Sequence, residues 1–462
     1  MFAENIYIAR RRALRERLRT GIALLPGNVD APINFAHNVH PFRQDATFRY
    51  FFGINRPGLV ALLDLESGED VVFGDDATLD DEIWLGKTPS LASECERAGC
   101  RTVRGYAALQ AALDAARRDA RKLHFLPPYR AATTLEIGRL MGVAPQEVAK
   151  CASTALIDAL VALREVKGAE EIEQIEAALV VTDEMHRAAM RAVRPGARER
   201  EGVARMHAVL AQHGVLEAYQ SVFTKRGEIL HNFNYDGRLA PGELVVNDSG
   251  ATSAFGYASD ITRTLPVSGR FDTRQRELYT LLLEAQDIGI RGSRPGVRYA
   301  DVHRAVVTHL AGGMLQMGIF KGSVSDIVSS GAYAVVFPHG LGHQLGLDVH
   351  DMESYGEDRV GYDVQTPRST QFGLRSLRMG KPLKAGMVLT VEPGIYFIEA
   401  LIERWAAERR HEGLIDYATL RACVGLGGMR VEDEIEITAT GARVMGPPIP
   451  KTVSEIEAAM AD

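Results

Sequence analysis

Between Leu244 and Leu265 two short apolar runs flank Asp248 and Asp260 across a Gly- and Ser-bearing turn, the pattern of a β-hairpin with one carboxylate on each arm. Alternation along the second arm puts Asp260, Thr262 and Thr264 on one face and Ile261 and Leu265 on the other, so pairing the arms brings Asp248 and Asp260 together. Two carboxylates held close in a partly buried place repel. Either one takes a proton or a multivalent cation sits between them.

The first ~150 residues predict an α/β domain, with strands at Gly21–Leu25, Leu59–Asp64, Asp70–Phe73 and Leu123–Leu126 between helical stretches. Pro41–Ile54 and Glu82–Lys87 carry aromatic residues; most fit a core, but Trp84, on a polar-flanked loop, could reach a partner subunit. A linker helix over Ala155–Lys167 and a long amphipathic helix from about Ala169 place a boundary near residue 160, giving domains 1–160 and 161–462. In the second domain, RAVRPGARERE at Arg191 and IRGSRPGVRYAD at Ile290 each stop a helix with Pro-Gly and open another. Two similar α/β halves follow, with strands from Leu244 to Leu265 and from Gly386 to Ile437 and an active site where the halves meet. Val360–Lys381 and Ala400–Leu426 read as loops or added helices beside them.

Composition narrows the function. A chain of 462 residues exceeds one ordinary core, and its net charge of −7, without basic runs, argues against nucleic acid or an anionic membrane as partner. No apolar run reaches the ~18 residues of a membrane helix, and the start is a charged helical pattern, so the protein is expected in the cytoplasm with a small or peptide-like ligand. Cys95, Cys100, Cys151 and Cys423 lack metal-type spacing and are expected to be reduced and mostly structural.

Three further stretches place acids or imidazoles in constrained settings: PHGLGHQLGLDVHD (Pro338–Asp351), LTVEPGIYF (Leu389–Phe397) and MRVEDEIEI (Met429–Ile437). The first bends on glycines around His343, with His339 and His350 nearby, and has no HExxH helix. In the second, Glu392 ends an apolar strand before Pro-Gly; in the third, alternation sets Arg430, Glu432 and Glu434 on one face, with Arg430 expected beside Glu432 to orient it. Seen singly these are a turn, loop histidines and a solvated strand face. As a set, Asp248, Asp260, His343, Glu392 and Glu432 offer four carboxylates and one imidazole, whose charge two divalent cations would balance. Oxygen-rich ligation with one nitrogen favours Mn²⁺, with Co²⁺, Zn²⁺ or Fe²⁺ also fitting. Such a pair, ~3.5–4 Å apart, can share a hydroxide and polarise a carbonyl, which is hydrolytic chemistry.

HGLGH, LGLDVHD, GMVLTVEPGIYF, RVEDE and SDITRTLPVSGRF resemble the dinuclear metallopeptidases of the pita-bread fold, a family that holds prolidase, aminopeptidase P, methionine aminopeptidase and creatinase. The resemblance runs from about Phe42 onward. It implies an amino-terminal α/β domain followed by an α+β pita-bread catalytic domain. It puts the metal ligands on Asp248, Asp260, His343, Glu392 and Glu432, the supporting residues on His231, His339, His350 and Arg430, and Tyr396 after the glutamate strand as a substrate-binding residue. Asp248 and Asp260 stand twelve positions apart, one more than the family usually shows, which calls for an added residue within Ala251–Phe255 and a bulge to restore convergence. GLRSLR at Gly373–Arg378 and the insert after Phe397 are similar to prolidase of the eukaryotic type, where Arg378 matches the position that holds the dipeptide's free carboxylate. The resemblance therefore implies hydrolysis of Xaa-Pro dipeptides by a metal-bridging hydroxide, with Glu392 shuttling the proton. Aminopeptidase P action on longer Xaa-Pro peptides is the second expectation, and the amino-terminal segments imply a homodimer. A binding protein that lost catalysis would lack ligands present here, and a dinuclear phosphoesterase would not carry these strand motifs.

Overall fold

The computed structural model describes residues 1–461. The chain forms two compact units, one of Met1–Arg164 with Met352–Arg359 and one of Glu165–Asp351 with Val360 onward. Met352–Arg359 thus belongs with the first unit, although a single boundary near residue 160 would assign it to the second.

In the first unit, a five-stranded mixed sheet runs in the order Thr102–Arg104, Asp70–Phe73, Val60–Asp64, Ile22–Pro26, Leu123–His124. Leu24, Val60, Leu62, Val71 and Phe73 from these strands pack with Leu109 and Leu113 of helix Leu109–Arg118 and with Ile137 and Leu140 of helix Ala131–Met141. The spacing of Leu109, Leu113 and Ala116 gives that helix one apolar stripe, so only this face is buried. The charged opening pattern is helix Glu4–Leu18, whose buried Arg11 donates to Asp70 Oδ2 and to the carbonyls of Phe51, Ala98 and Gly99. The aromatic Pro41–Ile54 stretch contains helix Ala46–Phe52, capped by Asp45. Trp84 lies in helix Leu79–Leu85 instead of a loop, because Thr78 and Asp81 form a capping box; the residue is 82% exposed. Strand Thr102–Arg104 and the exposed hairpin Pro32–Val39 carry too little apolar alternation to be read from sequence. All four cysteines are free, and only Cys151 is exposed.

The internal echo in the second unit is structural. Helices Ala169–Ala192 and Glu199–His213 form one pair, and Thr273–Gly292 and Tyr299–Gln316 the other. Each pair turns at Arg-Pro-Gly, where Gly196 (φ +87°) and Gly296 (φ +83°) take the left-handed conformation. Their amides donate to Leu239 and Leu383 respectively, so each turn is tied into its own half. The first half carries Ile261–Pro266, Leu244–Ser249 and Val222–Thr224 in that sheet order; the second carries Val388–Val391, Asp433–Ile437 and Ala442–Val444. Gly394–Tyr396 and Gly428–Arg430 form a further ribbon.

The halves are stitched together at their acidic strands. Glu432 N–H donates to Thr262 O at 3.0 Å, and Asp260 N–H donates to Glu434 Oε1 at 2.6 Å. In the hairpin, one register holds from Leu244↔Pro266 through Asp248↔Thr262 to the bridge Thr252↔Ala258. The expected bulge is absent, because the extra length is taken up in the Ser253–Tyr257 turn. Asp248 and Asp260 consequently share one face. Among the described residues no helix is long and apolar enough to cross a membrane.

Candidate metal centre

The His343 segment is laced onto strand Val388–Val391. Thr390 N–H donates to His343 O, His343 N–H donates to Thr390 Oγ1, and a Cβ at Gly342 would lie 2.0 Å from Thr390 O. The same Thr390 hydroxyl donates to Glu392 Oε1 at 3.3 Å, so one residue sets both an imidazole and a carboxylate. His343 Nδ1 lies 3.1 Å from Gln344 O. A carbonyl only accepts, so Nδ1 carries a proton, and Nε2 is the nitrogen free to bind a cation once deprotonated. Nε2 faces Asp260 Oδ2 at 3.3 Å and Glu392 Oε1 at 3.6 Å.

Asp260, His343 and Glu432 each offer an atom within 4.8 Å of the others, all buried. Glu432 Oε2 accepts from Thr262 Oγ1 at 2.7 Å, whereas Oε1 is buried with no hydrogen-bond partner. An orphaned carboxylate oxygen beside two more donors is what a cation ligand looks like before the cation is placed. Burial, then mutual repulsion with Asp260, Glu392 and Asp248, holds Glu432 well above the usual carboxylate range. Burial and its acidic neighbours push Glu392 up to about 7, and burial and Asp248 raise Asp260. For His343 burial acts downward, and Asp260 and Glu392 outweigh it to raise the imidazole. Four acids that repel this strongly form a set suited to divalent cations, and the oxygen-rich donors with one imidazole fit the hard-to-borderline metals.

Asp248 is set apart. Burial opposes its ionisation, but Arg430 and the Tyr219 hydroxyl hold it below the usual range. Arg430 pairs with Asp248 Oδ2, not with Glu432 as the strand alternation predicted. The backbone leaves the ladder between Arg430 and Asp433, which turns the guanidinium across to the hairpin. There it also donates to Thr262 Oγ1 at 3.1 Å and to the Tyr396 hydroxyl at 2.7 Å. Tyr396 in turn is 2.9 Å from His339 Nε2. His339 Nδ1 lies against Gly340 O at 2.8 Å and carries the proton, so Nε2 accepts from Tyr396. Burial, with Arg430 near, brings His339 down to about 3, and it is neutral at physiological pH.

A cavity of about 390 Å³ opens onto these groups. It is lined by Asp248, Asp260, His343, Glu392, Glu432, Arg430, His339, His350, His231 and Arg378, so ten of the eleven predicted site residues converge on it. Tyr396, expected to bind substrate, does not line it: it is fully buried, and its hydroxyl contacts Arg430 and His339. His350 packs on His343 with ring centroids 4.0 Å apart, while His231 is exposed and stacks on Phe233. Glu434, read from alternation as a solvated position, is fully buried. Tyr219 was missed. Its hydroxyl donates to Asp248 Oδ1 at 2.6 Å and also contacts Asp260 Oδ1, yet AYQSVF carries no local pattern that marks it.

Residues 173–439 match the model of metallopeptidase family M24, and residues 7–124 that of the aminopeptidase P N-terminal domain. The chain belongs to metallopeptidase family M24. Within it, the human Xaa-Pro dipeptidase is 30% identical over 477 residues, covering 99% of this chain and 93% of that protein. The Xaa-Pro aminopeptidase of Escherichia coli K12 is also 30% identical, over 464 residues, covering 98% and 96%. A structure of Zn-substituted E. coli aminopeptidase P in complex with product superposes with a TM-score of 0.79 at 28% identity, covering 100% of this chain and 98% of that one. The chain therefore has the α/β amino-terminal domain and pita-bread metallopeptidase domain of this family.

Proposed function

We propose that this M24 metallopeptidase is an Xaa-Pro dipeptidase working with two divalent metal ions, Mn²⁺ favoured. Asp248, Asp260, His343, Glu392 and Glu432 would hold the metals. Bound there, the ions would supply a water acidic enough to attack at neutral pH and a counter-charge for the substrate carbonyl oxygen. The chain's own groups do the rest. Glu392, in the cavity wall, would take a proton from the attacking water and return it to the proline nitrogen, which leaves as a secondary amine. His350 and His231, on the cavity wall, would hydrogen-bond the carbonyl being attacked. His339 is a support: its two nitrogens are engaged by Gly340 and Tyr396, and it steadies Arg430 against Asp248.

The observation that carries the dipeptidase reading is Arg378 in the wall of the same cavity as the carboxylate cluster. A dipeptide has a carboxylate directly after the scissile bond, which a guanidinium can grip through two parallel hydrogen bonds. That contact contributes on the order of 1.5–3 kcal/mol, or roughly ten- to a hundredfold in kcat/KM. With Mn²⁺ added, the protein should cut Ala-Pro much faster than Ala-Pro-amide, and Arg378→Ala should narrow the gap by slowing Ala-Pro. Equal or faster cleavage of Ala-Pro-Ala would overturn this in favour of aminopeptidase P, whose E. coli form this chain resembles over its full length as it does the human dipeptidase. A homodimer goes with either activity, and the exposed helix Leu79–Leu85 is an available apolar surface.

A further inference from the structure

His350 does not reach the cavity on a regular element. The chain leaves the bridge of Gln344 to Leu389 and loops through Gly346–Val349 before His350 comes back over His343. A loop of this length has many closed conformations, and something must select the one in which the two imidazoles stack. Asp351 does so from the next position. Its amide donates to Gln344 O at 2.9 Å, closing the loop, and its Oδ1 accepts from Asp348 N–H at 3.3 Å. Its Oδ2 lies 3.1 Å from Lys167 Nζ, and both side chains are 1% exposed. Lys167 is itself fixed, since its amide donates to Gly386 O at 2.8 Å, just before strand Val388–Val391, which carries Thr390 and leads into Glu392. There is room for this only because residue 346 is glycine: a Cβ there would lie 2.6 Å from Asp351 Oδ2.

We propose that the Lys167–Asp351 ion pair is a positioning device for catalysis, fixing the return of the Gln344–Asp351 loop and so holding His350 against His343 at the substrate cavity. The inference rests on the proposed peptidase role for the consequence in turnover, and on geometry alone for the consequence in structure. A buried pair of this kind need not add stability, because desolvating both charges costs about what their attraction returns. Its value is in the single loop conformation it selects. Lys167 lies more than 180 residues from Asp351 in sequence and does not line the cavity, so it acts only through the loop.

The test uses the paired substitution Lys167→Met/Asp351→Asn, which removes both charges together and avoids stranding one in the interior. In the Mn²⁺-loaded protein we expect kcat on Ala-Pro to fall about 10- to 100-fold, the scale of a misplacement of about 1 Å. KM should move less than about threefold and two metals per chain should remain. In a His350→Ala background the same pair should lower kcat by less than about twofold, since the residue being positioned is already gone. A crystal structure of the metal-free paired variant should show the His343–His350 ring separation lengthened from 4.0 Å. Equal losses of kcat in both backgrounds, or an unchanged ring separation, would overturn the proposal. If wild type cleaves no Xaa-Pro peptide, the proposed function fails, and the ring separation still decides the positioning role.

Discussion

Arg430→Met tests whether Arg430 and the proposed metals would share the task of neutralising one buried acid cluster. The guanidinium is 4% exposed and contacts Asp248, Tyr396 and Thr262. Methionine roughly fills its space. Tyr396 keeps His339, and Thr262 keeps Glu432, so the loss concentrates on Asp248, left with the Tyr219 hydroxyl and no cation. Breaking a buried pair by removing one partner costs about 3–5 kcal/mol. At roughly 2–4 °C per kcal/mol for a domain of this class, the metal-free variant should melt about 6–20 °C below metal-free wild type. Metal at the same cluster supplies the missing positive charge, so saturating Mn²⁺ should close at least half of that gap. The assay is four melting curves, wild type and variant, each with EDTA and with Mn²⁺. The sign with pH follows: the folded carboxyl of Asp248 lies below its unfolded value, so the pair's contribution is present above about pH 4 and lost as pH falls through the folded value. The penalty should therefore shrink in acid. An equal penalty with and without Mn²⁺ would mean that Arg430 packs structure without balancing charge, and the shared-neutralisation argument would fall.

Asp260→Ala and Glu432→Ala should each abolish cleavage and bring bound metal below two per chain; two tightly held ions in either variant, by elemental analysis, would refute the ligand assignment. Glu392, raised to about 7 from an ordinary value near 4.5, makes the metal-free protein less stable by about 3 kcal/mol as pH rises from roughly 4.5 to 7, because the unfolded chain releases that proton first. Metal needs the deprotonated acids, so the rise in melting temperature on adding Mn²⁺ should grow over the same window, and a rise constant from pH 5 to 8 would contradict it. His350→Ala should lower kcat by ~10²–10³, as for loss of a donor to developing charge, whereas His339→Ala should cost roughly tenfold, both with metal content near two. The reverse order would make His339 the substrate contact.

Legibility in the sequence divided along the range of the interactions involved. The hairpin, the His343 bend, the Glu392 strand end and the two Arg-Pro-Gly turns are local patterns of period two or of turn residues, and each stands where those patterns place it. Partner choice was not local. Arg430 alternates with Glu432, yet its guanidinium crosses to a strand 182 residues away. Tyr219 and Lys167 sit in stretches with no periodic signal, and what makes them matter is a carboxylate delivered by another part of the fold. Trp84 failed differently: the Thr78–Asp81 capping box was present in the sequence and outweighed the loop-like polarity around it.

The charge of the assembled site bears on metal number. With its four carboxylates ionised and His343 neutral, as metal ligation would require, the guanidinium of Arg430 would leave the cluster three negative charges in a buried cavity. One divalent cation reduces this to one negative charge, which would still repel a peptide carbonyl as its oxygen gains charge. A second would leave one positive charge before the attacking hydroxide binds, so the hydroxide would bring the site to neutrality and not to a net negative charge that opposes the developing one. Without Arg430 two cations would only cancel the four carboxylates, and the hydroxide would then leave the site negative. Arg378 lines the same cavity, and on the proposed dipeptidase reading its charge would be matched by the peptide's carboxylate.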